Sequence, residues 1–325
     1  MKKFKNEIKF IDLFAGIGGF RLALEQYGAR CVFSSEKDKY ACQTYEANFG
    51  EKPSGDITKI HESEIPNHDI LCAGFPCQAF SISGKQLGFE DSRGTLFFEI
   101  ARIVKYHKPR ILLLENVANL KRHKDGKTIQ HMTDILNQLG YNVFFEVLNA
   151  SDYGVPQSRK RVYFLCFRED LLVTQFRFPE PSPNDIFLED ILLPDKLTEK
   201  YIIDRNDIVM KEITVTENER KPIRIGTINK GGQGDRIYSI KGHAITLSAH
   251  GGGSGSKTGA YFINNKVRKL SPNECKRVQG FPDDYKIPVS DSQAWKQFGN
   301  SVALPVLLNI MGKLVELREL EAITY

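Results

Sequence analysis

The stretch Phe10-Ile-Asp-Leu-Phe14-Ala-Gly16-Ile-Gly18-Gly19 sets the architecture of this 325-residue chain. A short apolar run passes into a glycine loop, and a helical pattern follows at about 19–27. Strand, glycine turn and helix in that order form the first unit of a nucleotide-binding α/β sheet. The loop lacks the third glycine of the full dinucleotide fingerprint. Its context is supported by Glu36, about twenty residues on at the end of a second apolar run, where a carboxylate can accept hydrogen bonds from ribose hydroxyls. Asp56 lies at the next strand-end position, where a carboxylate can serve an adenine amino group or simply a turn.

The same rhythm continues outward. Strands are predicted at 8–13, 31–35, 69–73, 110–115, 142–149 and 161–167, with helices near 19–27, 37–48, 95–107 and 127–139. This alternation predicts a Rossmann-like, mostly parallel sheet covered on both faces. Two further strand ends carry chemistry. Asp69-Ile-Leu-Cys-Ala-Gly74 runs into Phe75-Pro-Cys77-Gln78, and Arg110-Ile-Leu-Leu-Leu ends on Glu115-Asn116-Val117. Ligands in open α/β sheets collect at the carboxyl ends of strands, so a nucleophile and an acid leave neighbouring strands toward one crevice. The pattern implies covalent catalysis beside an adenosine-containing cofactor. Gln157-Ser-Arg159-Lys-Arg161 adds two arginines two residues apart, which an extended chain aims the same way.

Hydrophobic content of 41% and charged content of 26% fit a globular protein large enough for two domains. No apolar stretch approaches the ~18 residues of a membrane helix. Glu7, Lys9 and Asp12 interrupt the start, which argues against a signal peptide and for a cytoplasmic protein. The six cysteines form no C-x-x-C pair, and only Cys77 lies in a loop among polar neighbours. The seven histidines show no H-x-x-x-H or H-E-x-x-H spacing, so no metal site is expected.

The net charge of +5 is unevenly spread. Residues 220–280 hold twelve Lys/Arg against Asp235 and Glu274, a local +10 beside a remainder of −5. Ten of the 26 glycines fall between Gly226 and Gly259. A basic, glycine-rich segment suggests a small irregular β domain whose loops approach a polyanion closely. Gly251-Gly-Gly-Ser-Gly-Ser-Lys257-Thr258 is not a phosphate loop, because Ser256 replaces the required glycine and the flanking strand and helix are missing. The Pro-rich Phe178–Pro183 marks a boundary. The expected domains are 1–189 for catalysis and cofactor, 190–299 for target recognition and hinge, and 300–325 for a helix, patterned over 301–318, returning to the first domain.

The glycine loop, Pro76-Cys77, Glu115-Asn116-Val117, Gln157-x-Arg159-x-Arg161 and Gly299-Asn300-Ser301-Val302, in this order, resemble the DNA cytosine-5 methyltransferases of bacterial type II restriction–modification systems. The resemblance covers nearly the whole chain and implies the following roles. Cys77 adds to carbon 6 of cytosine, which makes carbon 5 nucleophilic. Glu115 holds N3 and the exocyclic amine, Arg161 binds the cytosine carbonyl, and Arg159 supports that loop. S-adenosyl-L-methionine lies against Phe14, Ala15, Gly16, Gly18, Gly19, Glu36, Asp56, Ile57, Phe75, Asn300 and Val302. The target base is flipped from the duplex, and the segment 77–96, with Gly84, Gly88 and Gly94 as hinges, closes over it. Ser81, Ser83, Lys230, Gln233, Arg236, Tyr238, Thr246, Gly253 and Lys257 face DNA, with Lys241 a further phosphate contact. The site implied is GCGC with the inner cytosine methylated. The implied partners are double-stranded DNA and, functionally, a restriction endonuclease, with the enzyme acting as a monomer. Lys37 departs from the family, which often places an aromatic residue there to stack on adenine. A same-fold tRNA methyltransferase shares the catalytic motifs, but the glycine-rich +10 segment resembles the DNA enzymes. A nicotinamide dehydrogenase leaves Cys77 and Glu115 without a task.

Overall fold

The computed structural model describes residues 2–75, 96–182, 185–213 and 215–317. Cys77, Ser81, Ser83 and the proposed hinge glycines 84, 88 and 94 lie outside the described residues.

The first sheet has six strands: β1 (Lys9–Leu13), β2 (Arg30–Ser35), β3 (Ile70–Gly74), β4 (Ile111–Val117), β5 (Tyr141–Asn149) and β6 (Lys160–Arg168). Helices α1 (Gly19–Gln26), α2 (Lys39–Phe49), α3 (Leu96–His107) and α4 (Lys127–Gln138) connect them. Their spatial order is β2-β1-β3-β4-β6-β5. The sheet is parallel except at β6, which runs antiparallel to both β4 and β5. The reason is connection length. Only a single 3-10 turn at Ala150–Asp152 separates β5 from β6, and a connection this short cannot make the crossover that a parallel pair needs. This reversal brings the start of β6, with Arg161, beside the carboxyl end of β4.

Alternation along each strand divides the core. Ile11, Leu13, Leu71, Ala73, Leu112 and Leu114 pack with α3 and α4 on one face. Phe10, Ile70, Cys72, Ile111, Leu113, Leu165 and Phe167 pack with α1 and the C-terminal helices on the other. The five cysteines in the described residues are free and buried, behaving as small hydrophobes.

A second sheet contains β7 (Ile208–Met210), β8 (Arg224–Ile228), β9 (Arg236–Ser239), β10 (Ala260–Ile263) and β11 (Lys266–Lys269), ordered β11-β10-β9-β8-β7. Helices α5 (Pro272–Val278), α6 (Asp291–Asn300) and α7 (Leu304–Leu314) follow. The helix expected over 301–318 is shorter and is preceded by another. Pro305 has no N–H to donate and is tolerated in a first turn, so α7 starts at Leu304 and a break at 301–303 separates it from α6. α7 packs on α1, where the Tyr27 hydroxyl donates to the Leu308 carbonyl at 2.7 Å. Among the described residues no helix is long and apolar enough to cross a membrane.

Candidate active site

The glycine loop turns through three residues with positive φ: Phe14 at 54°, Gly16 at 55° and Gly18 at 79°. Glycine is required at position 18 on two counts. A Cβ there would fall 2.2 Å from the Phe49 ring, and its backbone is left-handed. Gly19 is equally close to the C-terminal segment, since a Cβ on it would lie 2.5 Å from Val302 Cγ2. The loop and residues 301–303 therefore form one wall.

Glu36 is built into that wall. Its Oε2 accepts from the Gly16 amide at 2.9 Å and its Oε1 from the Asp38 amide at 2.7 Å. A carboxylate has about four lone-pair sites, so each oxygen keeps capacity for a ligand hydroxyl while it holds the loop. Asp56 caps the turn at 57–59, accepting from the Thr58 amide at 3.1 Å and its hydroxyl at 2.9 Å through Oδ1. Ile57 and Phe75 are buried, whereas Asn300 and Lys37 are exposed.

Beneath the loop Asp12 is fully buried, and among the described residues neither carboxylate oxygen has a hydrogen-bond partner. Burial pushes its pKa up to about 8, against the opposing pull of Arg21 and with a smaller push from Glu36.

Glu115 stands at the carboxyl end of β4, opposite Gly74 of β3. Arg161 Nε lies 3.0 Å from Glu115 Oε1, with both side chains largely buried. A Cβ on Gly74 would come 3.7 Å from Glu115 Oε2, so the carboxyl sits directly against the chain that leads to Cys77. Burial raises the Glu115 pKa above the usual carboxylate range, with Arg161 and Arg159 pulling it back. Asn116, quoted in the motif but given no role from sequence, donates from Nδ2 to the Phe75 carbonyl at 2.8 Å. It thereby fixes the backbone one residue before the Pro76-Cys77 pair relative to Glu115. An amide beside the acid at a strand end was the signal for this.

The two arginines of the Gln-x-Arg-x-Arg stretch take different partners, although both act on Glu115. Arg159, expected beside Arg161 in the crevice, is buried and donates to the carbonyls of Leu247 at 3.0 Å, Gly299 at 3.1 Å and Ser301. Arg159 lies one residue before β6, and these three carbonyls take up its guanidinium. Gln157 extends the same joint, accepting from the Leu247 amide at 3.0 Å and donating to Gln279 Oε1 at 3.1 Å.

In the second sheet two glycine-rich loops meet backbone to backbone. The Gly255 amide donates to the Gly234 carbonyl at 2.7 Å and the Ser254 amide to Asp235 Oδ1 at 2.8 Å. A Cβ on Gly234 would fall 1.7 Å from the Gly252 carbonyl oxygen. Gln233, Arg236 and Gly253, which has φ 84°, are thus gathered in one place. Tyr238, expected to face DNA, is instead buried with its ring centroid 6.0 Å from that of Tyr261. β9 is the middle strand, covered on both faces, so alternation cannot turn Tyr238 outward. Thr246 donates to the Ser158 carbonyl at 2.5 Å. Lys257 Nζ is held by the Ser292 carbonyl and hydroxyl, both at 3.1 Å.

The local +10 overstates the free positive surface. Arg268 is buried against Glu274, Arg277 pairs with Asp283, Arg220 with Asp185 and Lys221 with Glu219. Lys276 donates to backbone, and Lys269 lies over Trp295 at 3.8 Å. Arg224, Lys230 and Arg236, around the β8–β9 turn, take no carboxylate partner among the described residues.

A family model described as C-5 cytosine-specific DNA methylase matches residues 8–316. The chain belongs to that family. This DNA cytosine-5 methyltransferase is 58% identical over 300 residues to the type II methyltransferase M.HhaI of Haemophilus parahaemolyticus, covering 92% of each chain. It is 46% identical over 299 residues to the type II methyltransferase M.NgoBI of Neisseria gonorrhoeae, covering 92% of this chain and 90% of the relative. The solved structure of the S. pombe Dnmt2 methyltransferase superposes on the methylase with a TM-score of 0.73, covering 98% of this chain and 100% of that one; at 18% identity the likeness concerns the fold. The family match and the type II relatives favour DNA over tRNA as the substrate of this methylase.

Proposed function

We propose that the chain extrudes the inner cytosine of GCGC from double-stranded DNA and methylates its carbon 5 through a covalent Cys77 adduct, acting as a cytoplasmic monomer that protects DNA from a partner restriction endonuclease. The observation that carries this reading is the Glu115–Arg161 pair at 3.0 Å, set against the strand end that leads to Cys77. The 58% identity to M.HhaI supports the site sequence.

The geometry supports a division of labour. The Cys77 thiolate adds to carbon 6 of the extruded ring, and the electron pair displaced toward N3 needs a proton or a donor there. Burial raises the Glu115 pKa and so favours the protonated carboxyl, which can share its proton with N3. Arg161 holds the carboxyl in place and offers its remaining donors to the ring carbonyl. Once carbon 5 is methylated, a base removes the carbon-5 proton and the Cys77–carbon 6 bond breaks.

S-adenosyl-L-methionine fits the glycine loop. The left-handed Gly16 and Gly18 leave backbone bare of side chains, and Glu36 presents a carboxylate at the end of β2. When bound, it supplies an electrophilic methyl group. Glu36 and Asp56 would hold its ribose and adenine, with Phe14, Phe75 and Val302 against it. Gln233 and Arg236 would read base edges, while Lys230 and Lys241 would meet phosphates. Lys257 would have to leave Ser292 to do so.

The test is DNA carrying 5-fluorocytosine at the inner position of GCGC. Fluorine does not leave as a proton does, so a stable protein–DNA adduct through Cys77 is expected by mass spectrometry, with none for Cys77→Ser. A wild-type enzyme that turns over without trapping, or a serine variant of near-native rate, overturns the covalent mechanism.

A further inference from the structure

At the end of the sheet opposite Glu115, two imidazoles meet. His68 lies just before β3, and His107 is the last residue of α3. Their ring centroids are 5.0 Å apart and the planes are inclined by 49°. Each ring spends one nitrogen on a backbone carbonyl. His68 Nδ1 lies 2.8 Å from the Pro66 oxygen, and His107 Nε2 lies 2.8 Å from the Glu62 oxygen. A carbonyl can only accept, so those nitrogens carry the protons. In the neutral rings His68 Nε2 and His107 Nδ1 are then bare lone pairs. Both of these atoms are buried, and neither has a hydrogen-bond partner among the described residues.

Two buried acceptors without donors are costly unless something electron-poor joins them. We propose that His68 and His107 form a binding site for a late first-row divalent cation such as zinc, coordinated through His68 Nε2 and His107 Nδ1. Two features support the assignment. Ligand histidines ordinarily donate their second nitrogen to a carbonyl or carboxylate, which fixes tautomer and ring orientation, and both rings already do so. Two imidazoles on one tetrahedral cation, with bonds of about 2.0–2.1 Å, place their ring centroids roughly 5 Å apart, whereas a linear arrangement would need more than about 6 Å. Imidazole nitrogen suits zinc, nickel and copper rather than magnesium or calcium. Among the described residues no third histidine, cysteine or carboxylate completes a cluster, so water fills the remaining positions and the site is weaker than a structural zinc centre. His107 is half-buried at a helix end. The pair is 39 positions apart in sequence, beyond any short spacing motif.

The test uses the full chain labelled with 15N-histidine and titrated with zinc chloride. Long-range proton–nitrogen NMR should first show His68 protonated on Nδ1 and His107 on Nε2. Zinc should then shift the bare nitrogen of both rings along one saturation curve. His107→Gln should bind zinc at His68 at least about tenfold more weakly. Zinc that moves neither resonance, or only one, overturns the site, as does undiminished binding in His107→Gln. Thiol-bound zinc elsewhere leaves these two rings unmoved, and the wild-type spectra decide the matter even if the variant does not fold.

Discussion

Arg161 reaches Glu115 diagonally across an antiparallel pair: it stands opposite Val117, two residues beyond the carboxylate, and its Nε closes to 3.0 Å of Glu115 Oε1. Residues two apart share a face of the strand, so the contact follows from the register of β4 and β6 alone. Glu115→Gln keeps the shape and removes the acidic proton, and should lower single-turnover methyl transfer by about 10²–10³-fold with cofactor affinity unchanged. Arg161→Met leaves a buried carboxyl unpaired and should cost about 3–5 kcal/mol in denaturant unfolding. Adding Glu115→Leu to Arg161→Met should restore most of that stability without restoring activity. A double variant as unstable as the single one would show that the pair acts through packing.

Glu36→Ala should weaken S-adenosyl-L-methionine binding by about 1.5–3 kcal/mol, measured by calorimetry. The structure adds a second expectation. Glu36 also restrains the Gly16 amide, so the variant should speed hydrogen exchange at Gly16 in the ligand-free protein. Unchanged affinity would remove Glu36 from the cofactor site, whatever the loop does.

Asp12 gives a pH dependence whose sign is fixed. Its pKa rises from 3.8 to about 8, so between those values the folded protein holds a proton that the unfolded chain has released. Stability from this group is complete below pH 3.8 and is lost as pH rises through about 8, at a slope of at most about 1.4 kcal/mol per unit. Asp12→Asn should flatten the decline in unfolding free energy between pH 6 and pH 8. Parallel curves for wild type and variant would show that Asp12 is ionised in the fold.

Arg236→Ala should lose about 1–3 kcal/mol of discrimination at one guanine, because the guanidinium fork matches the two acceptors on the major-groove edge of that base. Lys230→Ala should weaken all sequences alike and reduce the salt dependence. Bisulfite sequencing of a methylated plasmid reads the first effect. An Arg236→Ala enzyme with unaltered site preference would reassign the residue, and wild-type methylation outside GCGC would refute the site.

The parallel core was legible because each β1–β4 strand is a short apolar run followed by a helical pattern. That rule is silent at β6, which no helical pattern precedes and whose direction depends on connection length. Glu115 and Arg161 were legible as a pair of strand-end residues. The separate fate of Arg159 was not, because its partners are main-chain oxygens 88, 140 and 142 positions away that leave no mark on residue type. Tyr238 was misread for a related reason: coverage of β9 on both faces comes from segments far along the chain. The basic excess at 220–280 was visible as a count, but the consumption of much of it by Asp185, Glu219, Glu274, Asp283 and Trp295 depends on pairing in space.

The Arg159 joint carries an implication for how such enzymes diversify. Its guanidinium grips carbonyls at Leu247, Gly299 and Ser301, and carbonyls are common to every amino acid. Side chains in the loops proposed to read DNA can therefore be exchanged, by mutation or by grafting from a relative, without unfastening them from the wall proposed to hold the cofactor. Only a change of loop path would break the joint. New sequence preferences are thus open to this fold at little cost to the chemistry it performs.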